Sequence, residues 1–323
     1  MKITLSHGSG GIETAELIDK IFIKHFQNEY TSAQDAAVLP FGDRNLAFTT
    51  DSFVVDPLFF PGGDIGRLAV CGTVNDLLTT GGFPYYLSAS FILEENIDSD
   101  VLDSIAKSMR EAADEARVHI VTGDTKVVEG SGGLYITTSG IGLAGTTQIS
   151  DANPGDSILV SGFLGDHHAC IMSSRMGIKN SIKSDAAPLN ELMIRLIGSS
   201  IPIHGLRDIT RGGLATVLNE ITSTVGLQAE IFEADLPVSQ DVVGLCRILG
   251  LDPLYMGNEG KMLVIVPGEY AAQARDIMRK CRYGENTAII GRFAEGSGVV
   301  LNTKIGGHRK LPALSGEGLP RIC

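Results

Sequence analysis

The sequence lacks the patterns that usually give a function away. Its five cysteines, Cys71, Cys170, Cys246, Cys281 and Cys323, are odd in number, widely spaced and never form C-x-x-C, which argues against both a disulfide framework and a zinc site. Basic runs and basic amphipathic helices are absent and the net charge is -12 at pH 7, so nucleic acid and membrane surfaces are excluded as expected partners. No apolar run approaches the length of a membrane span, and the opening Met1-Lys2-Ile3-Thr4-Leu5-Ser6-His7-Gly8 has no signal-peptide apolar region, so a reducing, cytoplasmic setting is expected. Low-complexity segments are missing too. Tryptophan is absent while glycine is abundant at 39 residues, which indicates many tight backbone sites without saying what they bind.

What is present suffices for two ordinary domains: 323 residues, 43% of them hydrophobic. Turn residues at Asp151-Ala152-Asn153-Pro154-Gly155-Asp156 mark a boundary, giving an N-terminal domain over 1–150 and a C-terminal domain over 151–310. From Leu311 the apolar periodicity stops and Pro312, Gly316, Gly318 and Pro320 gather, which predicts a mobile tail over 311–323. It ends on Cys323. At roughly 3.3 Å per residue such a tail reaches on the order of 40 Å, but a thiol beside the terminal carboxylate is a poor nucleophile unless another site activates it. Prenylation does not fit, because its signal needs the cysteine fourth from the end.

Along the first half, Ser6-His7-Gly8-Ser9-Gly10-Gly11 forms a glycine-rich loop before a helix whose Ile12, Ala15, Ile18, Phe22 and Phe26 are spaced for one buried face. Such a loop either covers a phosphate with Gly8, Ser9, Gly10 and Gly11 or is only a turn. Short strands follow at 35–39 and 46–52, a helix at 65–80, a strand at 86–91, a helix at 99–117, and strands at 119–122 and 134–140. The second half reads as strands at 157–161, 261–266 and 288–293 with helices opening at Gly165 and near 189–197, after Leu214, and near 241–249 and 269–281. Without a repeated βαβ beat the class is α+β.

The chemistry gathers in carboxylates. Asp35, Asp51, Asp76, Asp124 and Asp208 each stand at a strand end or loop beside small residues. Brought together they would repel one another unless divalent cations lay between them, and hard oxygen ligands suit magnesium carrying phosphates. Taken singly, each is also an ordinary surface or capping aspartate. Asn75 either orients a metal-bound water beside Asp76 or serves a helix terminus. Glu259 either acts as a base or pairs with Lys261; Lys126 either meets a substrate or neutralises an aspartate. His7 and His167 are weaker phosphate contacts, and the four internal cysteines read as buried thiols.

Asp35-Ala36-Ala37-Val38, Thr50-Asp51-Ser52, Gly72-Thr73-Val74-Asn75-Asp76, Gly123-Asp124-Thr125, Pro154-Gly155-Asp156 and Asp208-Ile209-Thr210-Arg211-Gly212-Gly213 together resemble the ATP-binding superfamily of aminoimidazole ribonucleotide synthetase, selenophosphate synthetase and thiamine-monophosphate kinase. Within it, His7-Gly8-Ser9-Gly10-Gly11, Asp56-Pro57-Leu58-Phe59-Phe60-Pro61-Gly62-Gly63, Gly123-Asp124-Thr125-Lys126-Val127-Val128, Asn258-Glu259-Gly260-Lys261 and the ending Pro320-Arg321-Ile322-Cys323 are similar to the HypE family of hydrogenase maturation factors, end to end.

The resemblance implies a two-domain synthetase-like fold whose N-terminal β-layers join into a barrel in a homodimer, with ATP near the subunit interface. It implies an ATP-dependent dehydratase that receives a carbamoyl group on Cys323 from a HypF-type carbamoyltransferase. The group becomes a thiocyanate, whose cyanide passes to iron on a HypC–HypD complex for [NiFe]-hydrogenase. Asp51, Asp76, Asp124 and Asp208 would then hold Mg2+ and the ATP phosphates, with Asp35 beside them. Glu259 would be the base, and Lys126 would polarise the carboxamide or steer the terminus.

Three rivals remain at this level. Selenophosphate synthetase carries its reactive cysteine or selenocysteine in the N-terminal loop, where this chain has none before Cys71. A small-molecule kinase gives the terminal thiol no task. An ATP-regulated scaffold would use the tail as a docking peptide.

Overall fold

The computed structural model describes residues 3–8, 11–31, 35–147 and 149–315. An N-terminal helical segment runs through α1 (Ile12–Leu17), a π-helical turn (Ile18–Ile23) and α2 (Lys24–Phe26). The expected helix is there, but its apolar face is not buried: Ile12, Ile18, Phe22 and Phe26 are all exposed. Periodicity established the stripe; none of the described residues buries it.

The first sheet is built from β1 (Ala37–Phe41), β2 (Arg44–Phe53), β5 (Phe83–Glu94), β6 (His119–Val128) and β7 (Leu134–Leu143), with a small ribbon β3 (Phe59–Phe60) and β4 (Gly63–Asp64) between. Its order is β1-β2-β7-β5-β6. β1 and β2 form a hairpin closed by Gly42-Asp43, with Gly42 at φ 64°, the left-handed backbone that a two-residue turn needs. β5 and β6 run parallel through the crossover helix α4 (Ser99–Ala116).

Along β2 the side chains alternate, and Ala47, Thr49, Asp51 and Phe53 face inward. They meet α3 (Ile65–Thr79), which is capped by the Asp64 carboxylate accepting from the Gly66 and Arg67 N–H groups at 2.7 and 3.0 Å. Nearly every residue of α3 is buried, the condition of a helix that is apolar all round. Gly66 allows close approach to α4, since a Cβ there would lie 2.6 Å from the Ile105 carbonyl oxygen.

The second sheet contains β8 (Ser157–Val160), β9 (Gly205–Asp208), β10 (Gln228–Phe232), β11 (Met262–Val266), β12 (Ala288–Ala294), β13 (Gly298–Asn302) and β14 (His308–Lys310), in the order β14-β13-β10-β12-β8-β11-β9. β11 is buried at all five positions because both faces are covered. One core includes Leu159, Met262 and Val264 with residues of α5 (Asp166–Met176), α6 (Asn190–Ile197), α8 (Gln240–Leu249) and α9 (Ala271–Met278); the other includes Ile158, Val160 and Leu263 with α7 (Gly213–Val225). The first of these cores continues into α3 and α4, so α3 is a central beam shared by both sheets. The α+β expectation holds.

Three features differ from expectation. β6 extends to Val128, so Asp124 and Lys126 lie in a strand, exposed along its whole length. β9, β10, β13 and β14 lack a clear sequence signal, being short and held by pairing with neighbours. The C-terminal segment is fixed beyond Leu311: that residue is 2% exposed, its N–H bonds the Val299 carbonyl at 2.9 Å, Asn219 and Tyr255 donate to the Leu311 and Pro312 carbonyls, and the Ile12 N–H donates to the Leu314 carbonyl at 3.0 Å.

Candidate active site

Where α3 ends against β9, four of the sequence-predicted carboxylates converge. Asp51 comes from β2, Asp76 from the last turn of α3, Asp208 from the end of β9 and Asp35 from just before β1. With Gly11, Thr14, Thr49, Arg207, Arg211 and Glu220 they line a cleft of about 330 Å3. The Thr49 hydroxyl lies 2.9 Å from the Asp76 carboxylate. Arg207, which the sequence reading passed over, is ion-paired to Asp35 at 2.9 Å and to Glu220 at 2.7 Å. Arg211 stands in the Asp208 motif and lies 3.9 Å from Asp51.

The electrostatics are those of a site short of positive charge. Burial raises the carboxyls of Asp51, Asp76 and Asp35, the latter two well above the ordinary range. For Asp76 the neighbouring Asp208, Asp35 and Asp51 add to the rise, and for Asp35 the Arg207 guanidinium opposes it. Asp208 is pushed up to about 6, chiefly by burial. Such a group releases its protons readily only when a cation enters. Among the described residues no set of three or more His, Cys, Asp or Glu side chains can hold a metal ion. The donors therefore fit a hard ion that takes one or two protein carboxylates and completes its shell with water or phosphate oxygens, the habit of magnesium. They do not form a ready cage from Asp51, Asp76, Asp124 and Asp208.

Glu259 sits one layer further in. It is 9% exposed and lines a narrow cavity of about 30 Å3 with Ser52, Phe53 and Leu68, and with Asp51, Thr210 and Arg211, which also line the cleft. Burial, followed by the fields of Asp51, Asp185 and Asp208, raises its carboxyl well above the usual range. The bland pairing with Lys261 does not occur, because Lys261 is 3.1 Å from Asp185. The same Asp185 accepts the Glu259 N–H at 3.1 Å, and Gly260 lets the chains touch, since a Cβ there would lie 2.0 Å from the Asp185 carbonyl oxygen. A high-pKa carboxyl beside the acidic cleft has the character of a proton acceptor.

Other expected residues lie elsewhere. Asp124 and Lys126 pair with each other at 2.6 Å on the exposed strand β6 and do not line the cleft of this chain. Lys126 and the adjacent Thr125 N–H keep the Asp124 carboxyl below its ordinary value. Asn75 does not line the cleft and clamps a neighbouring segment instead: its amide donates to the Ala187 carbonyl and accepts from the Leu189 N–H, both at 3.0 Å. His167 is wholly buried and bonded to Ser184 at 2.8 Å, and His7 bonds Thr4; neither lines the cleft. Of the glycine loop, Gly8 closes a short 3-10 turn and Gly11 borders the cleft beside Leu314, where a Cβ would come within 2.3 Å of the carbonyl oxygen. Ser9, Gly10 and Cys323 lie outside the described residues.

Two mixed α/β units meeting over a buried acidic cleft define the class. The family of AIR synthase related proteins matches through its N-terminal domain at residues 33–144 and its C-terminal domain at 153–304. The carbamoyl dehydratase HypE of Rhodobacter capsulatus is 47% identical over 336 residues, spanning 100% of this chain and 98% of that one. A crystal structure of the hydrogenase maturation protein HypE in complex with ATP superposes with a TM-score of 0.84 at 45% identity, covering 100% of both chains. In a HypE–HypF complex the corresponding figures are 0.88 and 46%, over 92% of this chain and 99% of that one. The chain belongs to the AIR synthase related family and, within it, to the HypE family.

Proposed function

We infer that this protein is an ATP-dependent carbamoyl dehydratase of hydrogenase maturation that acts on its own C-terminal Cys323. The carrying observation is the acidic cleft joined through Asp51, Thr210 and Arg211 to the cavity of Glu259. Beside it, Leu314 is bonded to the first turn of α1. From Ser315 to Cys323 an extended chain spans at most about 30 Å, which suits delivery of the terminal thiol to a site next to its own root. The domain reading follows: 1–150 supplies most of the nucleotide cleft, 151–310 supplies Asp208, Arg211 and Glu259, and the tether begins after Leu314.

The reaction converts S–C(=O)NH2 to S–C≡N with net loss of water. When bound, ATP with Mg2+ supplies the phosphoryl group that lets the carboxamide oxygen leave as phosphate, and the ion offsets the phosphate charge. One or two of Asp51, Asp76 and Asp208 would hold the ion, with water and phosphate oxygens completing its shell. Asp35 fixes Arg207, and Arg211 and Gly11, which border the cleft, would face the anion. Glu259, buried and with a raised pKa, accepts a proton from the carboxamide nitrogen.

A HypF-type transferase is the carbamoyl donor and a HypC–HypD complex the cyanide acceptor. A homodimer is supported by the bare apolar surface of the first sheet and its edge, where Phe48, Tyr86, Ile92, Val121, Val127 and Val128 are exposed. Asp124 and Lys126 belong to that edge, so their part in the reaction depends on the dimer. The chain is incubated with a HypF-type transferase, carbamoyl phosphate and magnesium-ATP, alongside Cys323→Ala, and the C-terminal peptide is weighed. Gain of a carbamoyl group and ATP-dependent loss of one water, absent in the variant, is the expected result. An unmodified Cys323 with continued ATP consumption would overturn it in favour of a small-molecule kinase or synthetase.

A further inference from the structure

Away from the cleft, a second pocket of about 440 Å3 opens between the end of α4, the start of α6 and the turn at Arg282-Tyr283. It shares no lining residue with the acidic cleft or the Glu259 cavity. Three arginines line it, Arg117, Arg195 and Arg282, against two carboxylates, Glu115 and Glu191, the latter 3.0 Å from Arg195, in a chain whose net charge is -12. Arg282 lies 2.8 Å from Glu115 and 4.6 Å over the Tyr283 ring. Glu115 also takes Arg67 at 2.9 Å and the Tyr283 hydroxyl, so its charge is fully engaged. Arg117 has no ion-pair partner among the described residues.

The backbone carries an independent signal. Four described non-glycine residues adopt positive φ, and two of them, Arg117 at 56° and Tyr283 at 67°, line this pocket. At the end of α4, where glycine is the usual residue, holding an arginine costs stability. At Tyr283 the hydroxyl's bond to Glu115 accounts for the side chain; at Arg117, which has no ion pair among the described residues, the strained backbone indicates a side chain retained for a contact outside the fold.

We propose that this pocket binds a small-molecule oxyanion, a phosphate or carboxylate group held by the guanidinium forks of Arg117, Arg195 and Arg282, and that it is an effector site. Asn190 follows directly on the strap 185–189. That strap is held by Asn75 at Ala187 and Leu189 and by Arg67, whose Nε donates to the Ala186 carbonyl at 2.7 Å. Its Asp185 carboxylate in turn fixes the Glu259 N–H. A ligand seated on the start of α6 therefore acts on the strap that positions Glu259. This second part rests on Glu259 being the base; the binding site itself does not.

The test is calorimetric titration of the full-length protein, without ATP, using inorganic phosphate in one arm and succinate in the other. Wild type is compared with Arg117→Gly, Arg282→Gln and, in the cleft, Arg211→Gln. Glycine suits the backbone at 117, so the first variant is expected to fold with an undiminished Tm while losing about tenfold or more in anion affinity, the scale of one charge-assisted contact. Arg211→Gln should leave that affinity intact. The arm that shows saturable binding identifies the group recognised. Affinity unchanged in both Arg117→Gly and Arg282→Gln, or lost only in Arg211→Gln, overturns the site. Hydrogen exchange of the 185–190 and Glu259 amides should slow when the anion binds; equal protection with and without it overturns the effector role.

Discussion

Replacing Glu259 with glutamine keeps its shape and removes its proton chemistry. The carboxyl is 9% exposed and its raised pKa comes first from burial, then from Asp51, Asp185 and Asp208. An acid whose folded pKa lies above its unfolded value holds its proton more tightly in the native state. The stability it contributes is present below the unfolded pKa and is lost as pH rises through the folded one. The neutral amide escapes that loss, so Glu259→Gln should match the wild type at acidic pH and exceed it increasingly as pH rises. Activity should move the opposite way. A base works only when unprotonated, so wild-type conversion of the carbamoylated C-terminal peptide should rise with pH through the raised pKa. The variant should lack that rise and be slower by about 10²- to 10⁴-fold, the usual contribution of a positioned general base. The assay is the mass of the C-terminal peptide in single-turnover reactions on pre-carbamoylated protein, with ATP binding measured separately. A variant within about threefold of wild type that keeps the same pH profile would remove Glu259 from the chemistry.

Two further expectations concern the supports. Asn75→Leu leaves the buried Ala187 carbonyl and Leu189 N–H without their partners. At about 1 to 3 kcal/mol for each orphaned group, urea unfolding should show a loss of about 2 to 6 kcal/mol; a change within about 0.5 kcal/mol would mean that the strap is not clamped there. His167, with its pKa lowered from 6.5 to about 4 by burial, is neutral when folded and takes a proton when unfolded, so its stabilisation is full above 6.5 and is lost as pH falls toward 4. The loss is on the order of 3 kcal/mol, and His167→Asn should flatten the acid limb of a denaturation series. An unchanged slope would assign that limb to other groups.

Much of this was local and so legible in order along the chain. The aspartates at strand ends and loops, the helix after Asp64, the apolar run that became β11 and the Pro-Arg-Ile-Cys ending are statements about neighbours in sequence. The resemblance they carry led to the family that the comparisons support. Other features depended on what lies across space. Asn75 and Asp76 are adjacent in sequence, yet helical rotation points one into the junction with the 187–189 strap and the other into the cleft. Asp124, like Asp51, stands between small residues, but β6 lies at the sheet's edge and β2 lies against α3. The stripe on α1 and α2 was correctly periodic and still bare, because periodicity says which side of a helix is apolar and not whether the chain supplies a cover.

The sequence by itself determined the residue types of the site, the family and the two-domain order, since each is encoded in short segments whose backbone preferences and motifs are local. Only the tertiary structure decided which carboxylates share a cleft, that Arg207 and Arg211 join them, that Glu259 lies one layer behind, and that three distant arginines ring a second pocket. Those facts follow from packing α3 between the two sheets, a long-range arrangement fixed by the summed burial of many side chains rather than by any one stretch of chain.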